Sequence, residues 1–567
     1  MRTVFVPFMN LSFNSGKLNS SGLVRADGVM HGGAGYLAPP PLFKPTSANF
    51  SAMAEAVTEP CFGHVNRAKS ANGTYTIYFY GDGQLFRIDV SGDPPWTITA
   101  CGTVTALAAG EGGFCSFGEN EIFAAGHGNH VQIRRAGQAN FEACFTSTDK
   151  PKAMHVGSIG MRMLFANIAS TGSAGAPDPN RSLLWWGATD NARAVGNVDS
   201  LPKDNTDWQP LFDDYGDIVG LSNGKLRCSI FKSMAVYSMD LEGADGFFFD
   251  RIASDVGCIG PRSITELNDD DYFWSTLGPA VVRSSQIFLL GDGLWNERGL
   301  ALESPPRPAL TVLGSASDQK NGTIYWLVEY DGQDYAWADG NPPTETITAS
   351  GKIYALIAYN SAANQFSFVW RQRSSSGISL VDEASPATSH LYRPICLVDR
   401  IPWKNQLPMD GIGLLAVESS ATNPGGPREP TLFLAGLPST SWTPEWTSGQ
   451  DLVFQTGLVP ISGPNVGAIR GVRPVVRPRR GHVRPAIECR IFSALTPWDV
   501  ERVYGPYLST TNLDGRRGYI TTPGATTGSF LAVELTIKAR TASPLAYSYL
   551  LDEIEGVELL VDDRRPQ

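Results

Sequence analysis

Charge is scarce in this chain: Asp, Glu, Lys and Arg make up 18% of its 567 residues, and the formal net charge is −11. That balance argues against a protein whose main work is gripping nucleic acid, which needs a positive surface to displace counterions from phosphates. A wall past which DNA slides remains compatible with it. Long apolar runs are missing as well. No stretch approaches the ~20 apolar residues of a membrane helix, and the patch from Val4 to Met9 is short and broken by Pro7, unlike a secretory leader. A soluble, unexported chain is expected. The eight cysteines, Cys61, Cys101, Cys115, Cys144, Cys228, Cys258, Cys396 and Cys489, show no Cys-x-x-Cys and no framework spacing. Reduced, buried thiols of a chain folded in a cytoplasm follow from that scatter. Neither a P-loop string nor a dinucleotide fingerprint occurs, which removes the easily recognised nucleotide enzymes.

What is present is the vocabulary of turns and short strands. There are 59 glycines and 39 prolines, with 10% aromatic residues, a mixture that suits many strands joined by turns and does not suit a helical bundle. From Gly216 to Glu303 runs rich in Val, Ile, Phe, Tyr and Trp are cut by Asn223-Gly224, Asp245-Gly246 and Asp292-Gly293, dipeptides that supply positive φ in hairpin turns. Further hairpins are predicted for Thr76 to Tyr80 against Leu85 to Val90 around Asp82-Gly83, and for Ile353 to Tyr359 against Gln365 to Trp370. Comparable hairpins recur every ~45 to 60 residues, near the period of propeller blades. The fold class expected is all-β: a β-propeller of six or seven blades over 51–439. Residues 1–50 form a Pro/Gly/Asn-rich arm that packs on the C-terminal region or on a neighbouring subunit. Residues 440–567 form a β-sandwich-like unit in which Leu531, Val533, Leu535 and Ile537 share one face. Two polar excursions, 171–181 with 197–208 and 371–390, read as long surface loops.

Strings that mimic chemistry are better read as structure. Gly220-Leu221-Ser222-Asn223-Gly224 matches the nucleophile elbow, but the elbow needs a helix after it and here a strand follows; a turn is expected. His127 and His130 sit in a Gly-Asn loop with no third ligand. The run Asp269-Asp270-Asp271 lacks the calcium-loop pattern and reads as a solvated turn. Ser315 to Asp318, followed by Gly322, Thr323 and Trp326, echoes the structural Asp-box turn of sialidase blades. A glycosidase would need two carboxylates at a set separation, which 56 acidic residues leave open. The one basic patch has six arginines in fifteen residues: Arg470, Arg473, Arg477, Arg479, Arg480 and Arg484. Prolines interleave with them and keep the segment extended. Guanidinium groups pair bidentately with carboxylate or phosphate, so the patch is either a contact for an acidic partner or DNA, or an ordinary exposed loop.

The order of turns carries a resemblance. GDIVGL (216–221), a strand ending Tyr237-Ser-Met, Asp255-Val-Gly-Cys-Ile-Gly-Pro-Arg-Ser263 and Leu290-Gly-Asp-Gly-Leu-Trp295 together resemble the tail nozzle proteins of short-tailed bacteriophages, also called packaged-DNA stabilisation or tail tubular B proteins. The resemblance implies a structural virion protein, assembled in the host cytoplasm into the tail. Six copies would ring the channel below the portal and adaptor rings, retain the packaged genome and form the path for its ejection. It implies a homo-hexamer touching adaptor, tail fibre or tailspike proteins and, transiently, double-stranded DNA. No membrane segment, cofactor, metal or catalytic residue is implied. A weakly charged, acidic wall suits a conduit, since strong phosphate contacts would stall the duplex. The competing expectations are a propeller polysaccharide hydrolase or lyase, and a carbohydrate-binding adhesion propeller.

Overall fold

The computed structural model describes residues 2–7, 23–27, 30–31, 37–38, 43–45, 61–66, 68, 74–90, 96–108, 110–144, 152–169, 180–187, 207–211, 215–242, 246–290, 310–319, 321–338, 344–373, 378–381, 389–403, 409–418, 430–435, 452–456, 458–460, 467–478, 487–495, 502–508, 519–537 and 551–563. Among these residues every regular element is a strand except one 3-10 turn, Pro261–Ser263.

Five four-stranded antiparallel sheets follow one another along the chain. Blade 1 runs Phe62–Asn66, Tyr75–Gly81, Gln84–Val90 and Ile98–Thr103; blade 2 runs from Gly113–Phe117 to Glu142–Ala143. Blade 3 runs from Lys152–Ile159 to Asp207–Pro210, blade 4 from Ile218–Leu221 to Gly246–Ser254, and blade 5 from Thr265–Leu267 to Gln286–Leu289. Blade 6 pairs Leu310–Asp318, Thr323–Ala338, Thr344–Asn360 and Gln365–Arg373. Blade 7 pairs Ser389–Trp403, Met409–Glu418 and Pro430–Ala435, and takes its outer strand from the N-terminal segment Phe43–Pro45, with Leu434 opposite Lys44.

The blades close into a ring. A buried apolar cluster lies between each adjacent pair, for example Phe62, Tyr80, Leu85 and Phe123 between blades 1 and 2. The circle is completed by Ile77, Phe86 and Ile88 of blade 1 against Ile395, Val398 and Leu415 of blade 7. A fully buried side chain of this size contributes about 1.5–3 kcal/mol, so these wedges hold the ring together. The protein is therefore an all-β propeller with seven blades among the described residues.

Some turns follow the sequence signals and some do not. Asp82 and Gly83 have φ of 42° and 77° and close the Tyr80–Leu85 hairpin, as their two-residue turn requires. Ile353–Tyr359 faces Gln365–Trp370 as the alternation predicts. Asn223-Gly224 is different, because it is not a two-residue hairpin. The strands it separates end at Leu221 and resume at Arg227, and Gly224 reaches sideways to exchange backbone bonds with Ser158 and Gly160 of blade 3. Positive φ falls instead at Asn268-Asp269 and Ser284-Ser285. Asp292-Gly293 and Asp245 lie outside the described residues.

The C-terminal strands make two facing sheets. One contains Gly467–Pro478, Ile520–Gly528 and Leu551–Asp563, with Arg2–Pro7 paired along Leu551–Asp563. The other contains Leu452–Thr456, Phe530–Ile537, Ile487–Ala494 and Arg502–Leu508. Val6, Ile469, Val472, Cys489, Leu531, Val533, Leu535, Leu559 and Val561 fill the space between them. Leu23–Asp27 pairs with Leu452–Thr456 on one side and, at Asp27 opposite Phe368, with blade 6 on the other. One hydrogen-bonded sheet thus runs from the propeller into the sandwich.

Candidate functional site: the propeller axis and the arginine strand

Neighbouring blades touch at their innermost segments. Ile159 bridges Gly224 in parallel, and Ser317 N donates to Asp399 Oδ1 at 2.9 Å. Facing inward, the strands enclose an axial cavity of about 540 Å³ to which every blade contributes. Its size is that of a small-molecule pocket. His64, His155, Arg262, Glu266 and Asp399 supply its ionisable lining, and Ser116, Ser158, Asn223 and Ser315 are among its neutral polar groups.

Arg262 is delivered by the segment Asp255 to Ser263. The turn is fixed locally: Ser263 Oγ donates to Gly260 O at 2.7 Å, and Trp326 Nε1 donates to Ser263 O at 2.9 Å. Gly257 passes so close to Ser233 that a Cβ there would lie 1.9 Å from its carbonyl oxygen, so only glycine fits. The product is a guanidinium from blade 5 whose centre stands 5.1 Å from the Phe62 ring of blade 1, across the axis from its own blade. Such a cation over an aromatic face is favourable when desolvated. The sequence reading missed Arg262, although the residue stands within a motif quoted for other reasons.

A second cluster lies in the wall between blades 1 and 2. His64 Nε2 is 2.9 Å from Ser116 Oγ, and Ser116 Oγ donates to Glu121 Oε2 at 2.8 Å. Glu121 is wholly buried. Burial pushes its carboxyl up to about 8, against the opposing pull of hydrogen bonds from Ser116 and Asn66 and of the Arg134 charge. The imidazole and carboxyl converge on one hydroxyl, whereas a serine-nucleophile triad places the acid on the far ring nitrogen. The set can hold a proton; its geometry is not that of a nucleophile. Asp271, likewise pushed up by burial to about 6, accepts from Ser229 Oγ at 2.6 Å.

The strings singled out in the sequence fall into place as structure. Ser222 Oγ accepts from Ser229 N at 2.8 Å, is buried, and is followed by a strand. His127 Nε2 meets Asn167 O at 2.8 Å, while burial and Lys152 hold His130 below its ordinary range. Among the described residues no group of three metal-ligating side chains forms. Asp269 is a turn residue, and Asp270 pairs with Arg283 at 2.6 Å. Asp271 corrects the solvated-turn reading, because it is half-buried in the strand Asp270–Ser275 and accepts from Ser229 Oγ of blade 4. Asp318 accepts from Asn321 N at 3.1 Å, which makes the Ser315–Trp326 echo a turn. All eight cysteines are free thiols and buried.

The arginine segment is partly a strand. Arg470, Arg473 and Arg477 belong to Gly467–Pro478. Arg470 pairs with Asp562 at 3.3 Å, and Arg473 pairs with Glu558 and lies 5.2 Å from the Tyr519 ring centre. Two of the six guanidiniums are thus engaged by carboxylates of the neighbouring strand. The Arg477 side chain and Arg479, Arg480 and Arg484 lie outside the described residues.

No protein-family model and no curated protein matches the chain. Among solved structures it is similar to the S. cerevisiae core factor, at 9% identity over 70% of this chain and 59% of that one, with a TM-score of 0.31. It is also similar to a quinonprotein alcohol dehydrogenase-like protein from Bacteroides thetaiotaomicron, at 8% identity over 56% and 66%, with a TM-score of 0.31. A putative TolB from Agrobacterium tumefaciens matches at 10% identity over 54% and 80%, with a TM-score of 0.24. The chain spans less than two thirds of the first two.

Proposed function

We propose that this chain is a structural subunit of a phage tail nozzle: six copies in a ring beneath an adaptor ring, retaining the packaged genome and lining its exit. The observation that carries the reading is the sheet running from blade 6 through Leu23–Asp27 into the sandwich. A subunit that holds a pressurised duplex must pass load from the part anchored above to the part projecting below. Backbone hydrogen bonds across the joint do this without a hinge. The axial cavity is of small-molecule size, so the duplex path belongs to the middle of the ring of copies. Acidic charge facing that path would repel phosphate and let the duplex slide. In this reading the axial residues stiffen the blade ring, and Arg470 to Arg484 is the candidate contact for the adaptor or for DNA. Tail fibre or tailspike proteins complete the expected partners.

A second reading has one observation in its favour. Glu266 and Asp399 share the axial cavity, and a polysaccharide hydrolase needs paired carboxyls. One experiment separates the two. Particles assembled without the chain should leak DNA to nuclease, and adding the purified chain should restore protection. If protection is unchanged by the chain, and the chain releases reducing ends from capsular polysaccharide, the nozzle reading is overturned.

A further inference from the structure

The ring closes where blade 1 meets blade 7, and two thiols meet at that seam. A Cβ on Gly63 would stand 2.7 Å from Val398 Cγ2, so the two inner strands touch there. Two residues before Gly63 and Val398 stand Cys61, at the entry to Phe62–Asn66, and Cys396, within Ser389–Trp403. Both are buried, at 1% and 0% exposure, in one apolar cluster. Their thiols are within hydrogen-bonding reach, and Gly63 N donates toward the Cys396 sulfur. Other thiols are directed elsewhere: Cys115 to Asn223 Oδ1, Cys228 to Ser222 O and Cys258 to Gly260 O.

We propose that Cys61 and Cys396 are a site of oxidative cross-linking that bolts the first blade of the propeller to the last. The oxidant is a small peroxide. One sulfur, deprotonated, attacks an oxygen of hydrogen peroxide; the O–O bond breaks, leaving a sulfenic acid, and the departing hydroxide takes up the proton that this thiol released, giving water. The second sulfur attacks the sulfenic sulfur; the S–S bond forms, the S–O bond breaks, and the hydroxide leaves as a second water with the second thiol's proton. Two thiols supply the two electrons that reduce one peroxide to two waters. Gly63 and Leu397, beside the pair, line the axial cavity, which gives a small oxidant its approach. The charge of Arg262 favours the Cys396 thiolate, opposing the Cys61 thiol and burial, which hold Cys396 well above its ordinary range. The site therefore reacts slowly and stays reduced in a cytoplasm. The inference is independent of the nozzle reading.

The test uses the full-length folded chain, treated with hydrogen peroxide, unfolded in the presence of an alkylating agent and digested without reduction. The expected result is a dominant linked peptide containing Cys61 and Cys396. A higher urea midpoint should accompany it, lost on reduction and absent in Cys396→Ser. Recovery of Cys61 and Cys396 as alkylated thiols, or linked to other cysteines, overturns the proposal. So does the linkage without a shift in midpoint. Should Cys396→Ser fail to fold, the peptide map of the unsubstituted chain and reversal of its midpoint by reductant decide the matter.

Discussion

Blades 1 to 5 are built on a different principle from blade 7 and the sandwich. Each of the first five blades is one contiguous stretch of chain whose strands pair with their sequence neighbours. Blade 7 and the sandwich are not: Phe43–Pro45, Leu23–Asp27 and Arg2–Pro7 travel from the other end of the chain to complete them. Local pairing closes small loops at little entropic cost, whereas pairing the chain ends costs more and forms late. What the second region gains is closure. The N-terminal strands join propeller and sandwich into a single hydrogen-bonded body.

The comparison breaks most severely if the N-terminal strands are removed. Deleting residues 1–45 should strip hydrogen-exchange protection from Met409–Glu418, Pro430–Ala435 and Leu551–Asp563 while blades 2 to 4 retain most of theirs. Equal loss in all blades would mean that the two regions are one cooperative unit. Within the ring, the seam is tighter than the outer turns. Gly63→Ala, which drives a methyl against Val398 and Phe79, should cost about 1–3 kcal/mol in urea denaturation. Gly128→Ala, with nothing within 4 Å, should cost less than ~0.5 kcal/mol.

The axial wall makes its own prediction with pH. Glu121 in the folded chain keeps its proton up to about 8, against a reference of 4.5. The folded state therefore binds more protons than the unfolded across that interval, and stability falls as pH rises through it. Below 6.5 His155 opposes this trend: burial, with the nearby His127 charge, lowers it to about 4, so its contribution is lost as pH falls. Between pH 6.5 and 8 the Glu121 slope stands alone of the two and should remove ~2 kcal/mol. Glu121→Gln should flatten that slope in urea midpoints; an unchanged slope would place the titration elsewhere. A modest effect is expected in the sandwich. Arg473→Ala breaks a partly exposed ion pair and should cost no more than ~1 kcal/mol in thermal unfolding.

The same division explains what could be read from the sequence. Alternation and the Asp82-Gly83 turn exposed the local hairpins, and the alternation of Leu531, Val533 and Leu535 exposed the sandwich strand, although Ala532, Glu534 and Thr536 on its other face are buried as well, because side-chain period and turn chemistry are local properties. Ser284-Ser285 carried no glycine or asparagine to announce its turn. Asn223-Gly224 did announce one, and blade 3 claimed those backbone groups instead. The arm from residue 1 to 50 has little periodicity, since each of its strands is short and completes a sheet made elsewhere. Arg262 was invisible as an axial residue because its position depends on the order of blades around the ring. The Ser116, His64 and Glu121 convergence depends on the same order: it brings His64 on the inner strand of blade 1 to a hairpin of blade 2 that carries Ser116 and Glu121.

The central proposal is that this chain acts as one of six rigid subunits around a DNA path. Its most direct test is the rotational symmetry of the purified chain bound beneath its adaptor ring, read from averaged electron micrographs together with the mass of the complex. The account predicts six copies around an open centre, with propeller and sandwich in one fixed relation in every copy. A chain that remains monomeric on the adaptor ring, or whose propeller and sandwich average to separate, independently oriented densities, would contradict it.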